Sequence, residues 1–231
     1  MLTHNTTAPE FNKRPIALRQ RPVRPDGAHR LAEAFRLIGA PIRFERNTEI
    51  YGQDEPADYL YQVVTGAVRT HKLLSDGRRQ IGAFHLPGDV FGLEAGPVHR
   101  FSADAVSGAT IRVARRSAIV AMAARDIDFA TELWTLTAEK LERAEDHMLL
   151  LGRKNAEERV ASFLLEMAGR FASELTVELP MSRQDIADYL GLTIETVSRT
   201  LTQLESKAAI ELPSSRRINL RNRSALQRLH A

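Results

Sequence analysis

The residues whose types and spacing promise chemistry lie in MSRQDIADYLGLTIETVSRTLTQLES, residues 181–206. Ile194, Glu195, Thr196, Ser198 and Arg199 fall near the start of one amphipathic helical repeat, on the side that faces away from its apolar stripe. Their chemistry is that of base edges in a DNA major groove. Arg199 can donate two hydrogen bonds to guanine O6 and N7, Glu195 can accept from a cytosine or adenine amino group, and Ser198 adds a polar or methyl contact. The competing interpretation is a surface helix with unrelated polar residues. Against it stands Glu195, since a carboxylate facing a polyanion is costly unless it reads something.

Two helices are needed to present that face. Ser182 caps the first, with Asp185 three residues on to reach back as in a capping box, and the helix buries Ile186, Ala187 and Leu190. Gly191 supplies the left-handed exit, Leu192 fills the angle, and Thr193 caps a second helix, with Thr196 three places on, that buries Val197, Leu201 and Leu204. This is the pattern of a helix-turn-helix. Ala209–Leu212 and Arg217–Leu220 then bracket Pro213–Arg216 as two short strands around a turn, a hairpin wing, and Arg221–Leu229 forms a closing helix. Phosphate contacts are expected from Ser182, Arg183 and Thr193 at the helix starts and from Arg216 and Arg217 near the wing tip. From Lys207 onward Lys207, Arg216, Arg217, Arg221, Arg223 and Arg228 face one acid, Glu211. Such a run suits phosphate, though it would also serve as a plain solvated face.

Upstream, Trp134, Thr137, Leu141, Ala144, Met148 and Leu151 recur at alternating steps of three and four, with Glu, Arg and Lys between them. That is a coiled-coil seam, and a parallel homodimer built on it would hold two reading heads in two-fold register. An amphipathic helix packed on its own domain would show a related stripe. Gly152–Asn155 interrupts the helix, and Val160, Phe163, Leu164 and Met167 line the next one.

Between Pro41 and Ala114 the period moves toward two, in short segments broken by turn formers: 49–52, 59–64, 67–70, 80–84 and 110–114, with a hairpin turn at Ser75–Arg78. A short helix over 28–38 precedes them, with Leu31, Ala34, Phe35 and Ile38 on one face. The expected class is α+β: a flexible arm (1–28), an antiparallel β jelly roll (29–125), a dimerisation helix (126–153) and a winged helix-turn-helix (154–231).

Composition excludes several functions. No run approaches the about 18 apolar residues of a membrane span, and the N-terminus lacks the apolar stretch of a secretory signal, so a cytoplasmic protein without membrane partners is expected. With no cysteine, thiol redox sensing and Cys-ligated zinc or iron–sulfur clusters are excluded. No Gly-rich phosphate loop, His-Glu-x-x-His or nucleophile elbow is present. Neither enzymatic activity, nor a metal, nor a cofactor is expected.

The order of these parts, with GDVFG at Gly88–Gly92 and the helix-turn-helix words of residues 181–204, resembles the CRP/FNR superfamily of bacterial regulators over about residues 30–231. The resemblance implies a cyclic-nucleotide-binding-like roll, transcription regulation, activation rather than repression, and RNA polymerase as a partner. Glu195-Thr196-Val197-Ser198-Arg199 is similar to the FNR and FixK pattern, which implies palindromes of the TTGA-N6-TCAA kind; Ile194 stands where the cAMP receptor subgroup carries Arg. Gly92 is followed by Leu93, and Phe101 precedes Ser102 where cyclic-nucleotide binders place a phosphate arginine, Arg100 pointing to the other strand face. No cAMP binding is therefore expected. The oxygen-sensing cysteine cluster of FNR is absent, which leaves the FixK-like group, linked with low-oxygen respiration, nitrogen fixation and denitrification. A ligand-sensing relative with another target site stays open, haem included, since His71, His85 and His99 lie in the β region.

Overall fold

The computed structural model describes residues 29–171, 173 and 175–230, so the arm expected over 1–28 lies outside them. The first helix, α1 (His29–Ile38), buries Leu31, Ala34 and Phe35. Ile38 does not share that burial. It sits on the last turn, where the chain leaves for the first strand, and is 42% exposed.

Eight strands follow, β1 (Ala40–Phe44), β2 (Glu49–Tyr51), β3 (Tyr59–Thr65), β4 (Val68–Leu73), β5 (Arg79–His85), β6 (Val90–Phe91), β7 (Ser102–Ala105) and β8 (Ala109–Arg115). They form two antiparallel four-stranded sheets, ordered β1-β8-β3-β6 and β2-β7-β4-β5. Tyr61, Val63, Phe91 and Ile111 of one sheet share a core with Tyr51, Val68, Ala103 and Ala105 of the other, so the alternation in the sequence closes a roll. Strands β1, β6 and β7 lie outside the segments expected from the sequence; β7 does alternate, burying Ala103 and Ala105, but over only four residues. The β4–β5 turn is as expected: Gly77 has φ +83° and the Asp76 carboxylate accepts from the Arg78 N–H.

After α2 (Arg116–Ala123), Asp126 caps α3 (Ile127–Arg153) by accepting from the Asp128 and Phe129 N–H groups. The helix continues through Gly152. The break is thus narrower than expected, confined to Lys154 and Asn155. Asn155 opens α4 (Ala156–Arg170) in a capping box with Glu158, and α4 buries Val160, Phe163, Leu164 and Met167. The rest comprises β9 (Thr176–Glu178), α5 (Arg183–Leu190), α6 (Ile194–Ser206), β10 (Ile210–Glu211), β11 (Arg217–Leu220) and α7 (Arg223–His230). The wing is a three-stranded antiparallel sheet, β10-β11-β9, and β9 was not anticipated.

These C-terminal elements and the roll meet in one core. Ala67, Ile81, Phe84, Leu86 and Val106 of the roll pack with residues of α4 and α5. The Phe84 ring lies 5.2 Å from that of Tyr189 and 6.4 Å from that of Phe163. His147 of α3 stacks on Tyr189 at 4.1 Å, so helix, roll and head converge on one tyrosine.

Burial foremost, then the positive charge of Arg159, hold His147 down to a pKa of about 4, against 6.5 when free. Below pH 6.5 the unfolded chain takes up a proton that the folded chain refuses until about pH 4, so stability present above that window is lost as pH falls through it. His85 is lowered in the same direction. The thermal midpoint is expected to fall from pH 7 to pH 5, and to fall less for His147→Gln. Equal declines in calorimetry would remove His147 as a source.

Candidate nucleic-acid interface

At the start of α5, the Ser182 Oγ accepts from the Asp185 N–H at 3.1 Å and donates to Asp185 Oδ2 at 2.7 Å, while that same oxygen accepts from the Ser182 N–H at 3.0 Å. The expected box is formed. It has a consequence for Ser182, whose hydroxyl proton is committed to the cap and whose side chain is half-buried, leaving the half-buried Arg183 and the helix N–H groups as the freer anion donors. Gly191 ends α5 at φ +61°, a left-handed conformation that suits glycine, and the Leu192 N–H returns to the Ala187 carbonyl.

Thr193 opens α6, its Oγ1 accepting from the Thr196 N–H at 3.2 Å and lying 3.1 Å from Thr196 Oγ1. Thr196 is therefore half-buried within the cap, and its hydroxyl is already engaged. Val197, Thr200, Leu201 and Leu204 are buried. Opposite them, Ile194, Glu195 and Arg199 are exposed and Ser198 is half-buried. Neither Glu195 nor Arg199 makes an ion pair among the described residues.

The two wing arginines separate. Arg217 is exposed, but Arg216 is half-buried and lines a crevice of about 490 Å³ between Gly66, Leu86 and Pro87 of the roll and Phe171, Leu179 and Pro180 of the head. Arg221, beyond the wing, pairs with Glu211 at 2.5 Å, which neutralises part of the basic run.

On α3, Trp134, Leu141 and Met148 are 75%, 60% and 64% exposed, and Thr137 and Ala144 are exposed beside them. Leu151 departs from this stripe: it is half-buried against the C-terminal core, with a methyl close to Gly191. Ile127, 79% exposed, extends the stripe one heptad toward the N-terminus and was missed, although it lies seven residues before Trp134.

Inside the roll, His85 stacks on Phe91 at 4.9 Å and His99 on Tyr51 at 3.6 Å, while His71 Nδ1 lies 3.5 Å from Asp104. All three are buried. Among the described residues no three His, Cys, Asp or Glu side chains are grouped to hold a metal ion. A Cβ on Gly92, at φ +79°, would lie 2.7 Å from the Tyr61 ring, which explains that glycine without a ligand. Phe101 covers Gly82, its ring 3.1 Å from where a Cβ would stand, and Arg100 is exposed.

Comparison with known proteins accords with this arrangement. Residues 158–229 match the model of the Crp-like helix-turn-helix domain and residues 41–128 that of the cyclic nucleotide-binding domain. The chain is 55% identical over 214 residues to the nitrogen fixation regulation protein FixK of Azorhizobium caulinodans, spanning 90% of this chain and 86% of that protein. It is 42% identical over 182 residues to the transcriptional activatory protein AadR of Rhodopseudomonas palustris, spanning 77% and 76%. The solved structure of FixK2 from Bradyrhizobium japonicum superposes with a TM-score of 0.81 at 57% identity, covering 84% of this chain and 98% of that one. These relatives are regulators, not enzymes. With its roll, long helix and winged helix-turn-helix, the chain belongs to the CRP/FNR family of DNA-binding transcription regulators and is FixK-like within it.

Proposed function

We propose that two copies of this chain pair along α3, bind a two-fold symmetric DNA site of the TTGA-N6-TCAA kind, and activate transcription through RNA polymerase. The observation that carries this reading is the free face of α6, where Glu195 and Arg199 stand exposed one turn apart on a helix whose other side is buried. Arg199 reads guanine, Glu195 an exocyclic amine, and Ser198 the neighbouring base, with Ile194 flanking them. Arg183, Arg217, Thr193 and the capped N-terminus of α5 meet the phosphates. Arg216 is left a lesser part, being half-buried.

Ile127, Trp134, Leu141 and Met148 supply the pairing surface. Four large apolar side chains at heptad spacing, each more than half exposed, leave a stripe that a second copy of the same helix fits. Pairing sets the two heads about one helical turn of DNA apart, roughly 34 Å, as a palindrome requires. The likeness to FixK, a nitrogen fixation regulation protein, and to AadR, a transcriptional activatory protein, supports a nitrogen-fixation programme and an activating role. DNA binding places the chain in the cytoplasm. No cyclic nucleotide or haem enters this reading, since Leu93 and Phe101 occupy positions where a charged ligand needs polar partners.

A gel-shift titration at fixed salt on a TTGA-N6-TCAA duplex against a scrambled one tests the site. Arg199→Ala is expected to lose ~1–3 kcal/mol of discrimination. An unchanged specificity ratio would remove base reading from Arg199. Leu141→Asp buries an unpaired carboxylate in the seam and is expected to abolish pairing; an intact dimer in sedimentation would move the self-contact elsewhere. Arg217→Ala should weaken all duplexes alike and lower the salt slope by about one. Loss confined to the palindrome would contradict its backbone role.

A further inference from the structure

The roll meets the head through charge as well as apolar contact. Arg69 on β4 donates to Asp185 Oδ1 at 2.8 Å and to Asp104 Oδ2 on β7 at 2.9 Å. Arg79 on β5 donates to the same Asp185 oxygen at 2.7 Å and, through Nε, to Asp188 Oδ2 at 2.8 Å. Gln80 adds a bond from its amide to the Tyr189 carbonyl at 3.3 Å. The side chains of Arg69 and Asp185 are 9% and 5% exposed, so this is an enclosed network rather than a surface decoration.

Asp185 is its pivot. One of its oxygens completes the cap of α5 with Ser182, and the other accepts both arginines of the roll. Burial works to raise its pKa, but the Ser182 hydrogen bonds and the two guanidinium charges outweigh that, and the group is held below the usual carboxylate range. α5 and α6 are packed as a unit around Gly191 and a shared core, so whatever fixes Asp185 also fixes the direction of α6. In this docked pose Glu195 and Arg199 stay exposed. Docking leaves the reading face open.

We propose that Arg69 and Arg79 of the roll are positioning residues for DNA recognition, holding the helix-turn-helix in its DNA-competent pose through Asp185 and Asp188. They touch no base and no phosphate. The inference rests on the DNA-binding reading above and adds to it that the head needs no ligand to be aimed.

Sign separates this from ordinary electrostatics. Asp188→Asn removes a negative charge beside the DNA-binding head, which by field alone tightens DNA binding, whereas loss of positioning weakens it. Asp188 takes no part in the cap, and Arg79 is at the rim, so Asp188→Asn and Arg79→Gln spare the fold's centre. Full-length protein, the two variants and the double variant are titrated on palindromic and random duplexes across a salt series, with dimer state followed by sedimentation and docking by amide hydrogen exchange in β5 and α5. Each single variant is expected to bind about tenfold more weakly, because the competent pose is less populated. The double variant should be no weaker than either single one, the salt slope unchanged, and exchange in β5 and α5 faster. Tighter or unchanged binding by Asp188→Asn overturns the proposal, as does a slope lowered by about one in Arg79→Gln, or weakened binding with exchange unaltered. A wild-type protein that ignores the palindrome refutes the site reading alone. Its affinity for random duplex still shifts with the variants if the arginines aim the head, and an unshifted affinity overturns the proposal there too.

Discussion

The junction where α3 ends joins the long helix to the helix-turn-helix, and one guanidinium there closes three carbonyl groups at once. Arg159 donates to the carbonyls of Leu151 and Lys154 at the C-terminus of α3 and to that of Leu190 at the C-terminus of α5, each at 2.8 Å. Carbonyls in a helix's last turn have no partner of their own and are expensive to leave bare in a half-buried junction. A planar fork of five donors spans two helix ends with fixed geometry, whereas a lysine would gather its three donors on a single nitrogen. The long helix and the first helix of the head thus share a single cation, and α6 inherits the direction of α3 through α5 and Gly191.

A second tie, between roll and head, divides its work between two kinds of contact. Phe84, Phe163 and Tyr189 are each almost wholly buried, and side chains of that size remove roughly 150–250 Å² apiece from water, worth on the order of 10 kcal/mol together at about 25 cal/mol per Å². Such contact is favourable yet tolerant of small rotations. The enclosed ion pairs add little net stability, since desolvation offsets most of their attraction. Their directionality is what apolar contact lacks: Asp185 accepts both arginines on one oxygen only in a narrow range of orientations. Apolar burial holds the head on the roll, and the charges set its angle.

Much of this was written locally and could be read locally. Ser182 with Asp185, Gly191 with Thr193, and Asp76-Gly77 with its hairpin are chemistry between near neighbours, and each takes the geometry its residue types demand. Strands β6 and β9 are two and three residues long, too short to carry a period, and only their partners β3 and β11 define them. Arg69 and Arg79 alternate among residues of a half-exposed sheet and look like solvated charge; their shared partner Asp185 lies 116 residues from Arg69 and 106 from Arg79. Leu151 fits the heptad and yet half-buries itself in the head, because the period continues past the point where the environment changes. The exposed face of α6 proposed to read DNA was legible because helical periodicity alone separates it from the buried one. What aims it was not, because that depends on contacts between distant parts of the chain.

The long helix is held at both ends by its own chain and uncovered between. Phe129, Leu133 and Leu136 anchor its first half on the roll, and Leu150 and Leu151 anchor its end on the head. Its middle turns polar groups inward instead: Lys140 is buried enough to be pushed down to about 8, beside the charges of Asp89, Arg143 and Arg170. Between Leu136 and Leu150 none of its described residues joins an apolar core cluster, while the outer stripe of Trp134, Leu141 and Met148 stays exposed. In the pairing proposed above, a partner helix seated on that stripe would cover the segment of α3 that lies outside the apolar clusters of its own chain. Because both ends are tied within the chain, through Phe129 to the roll and through Arg159 to the head, the geometry of such a pairing bears on both domains.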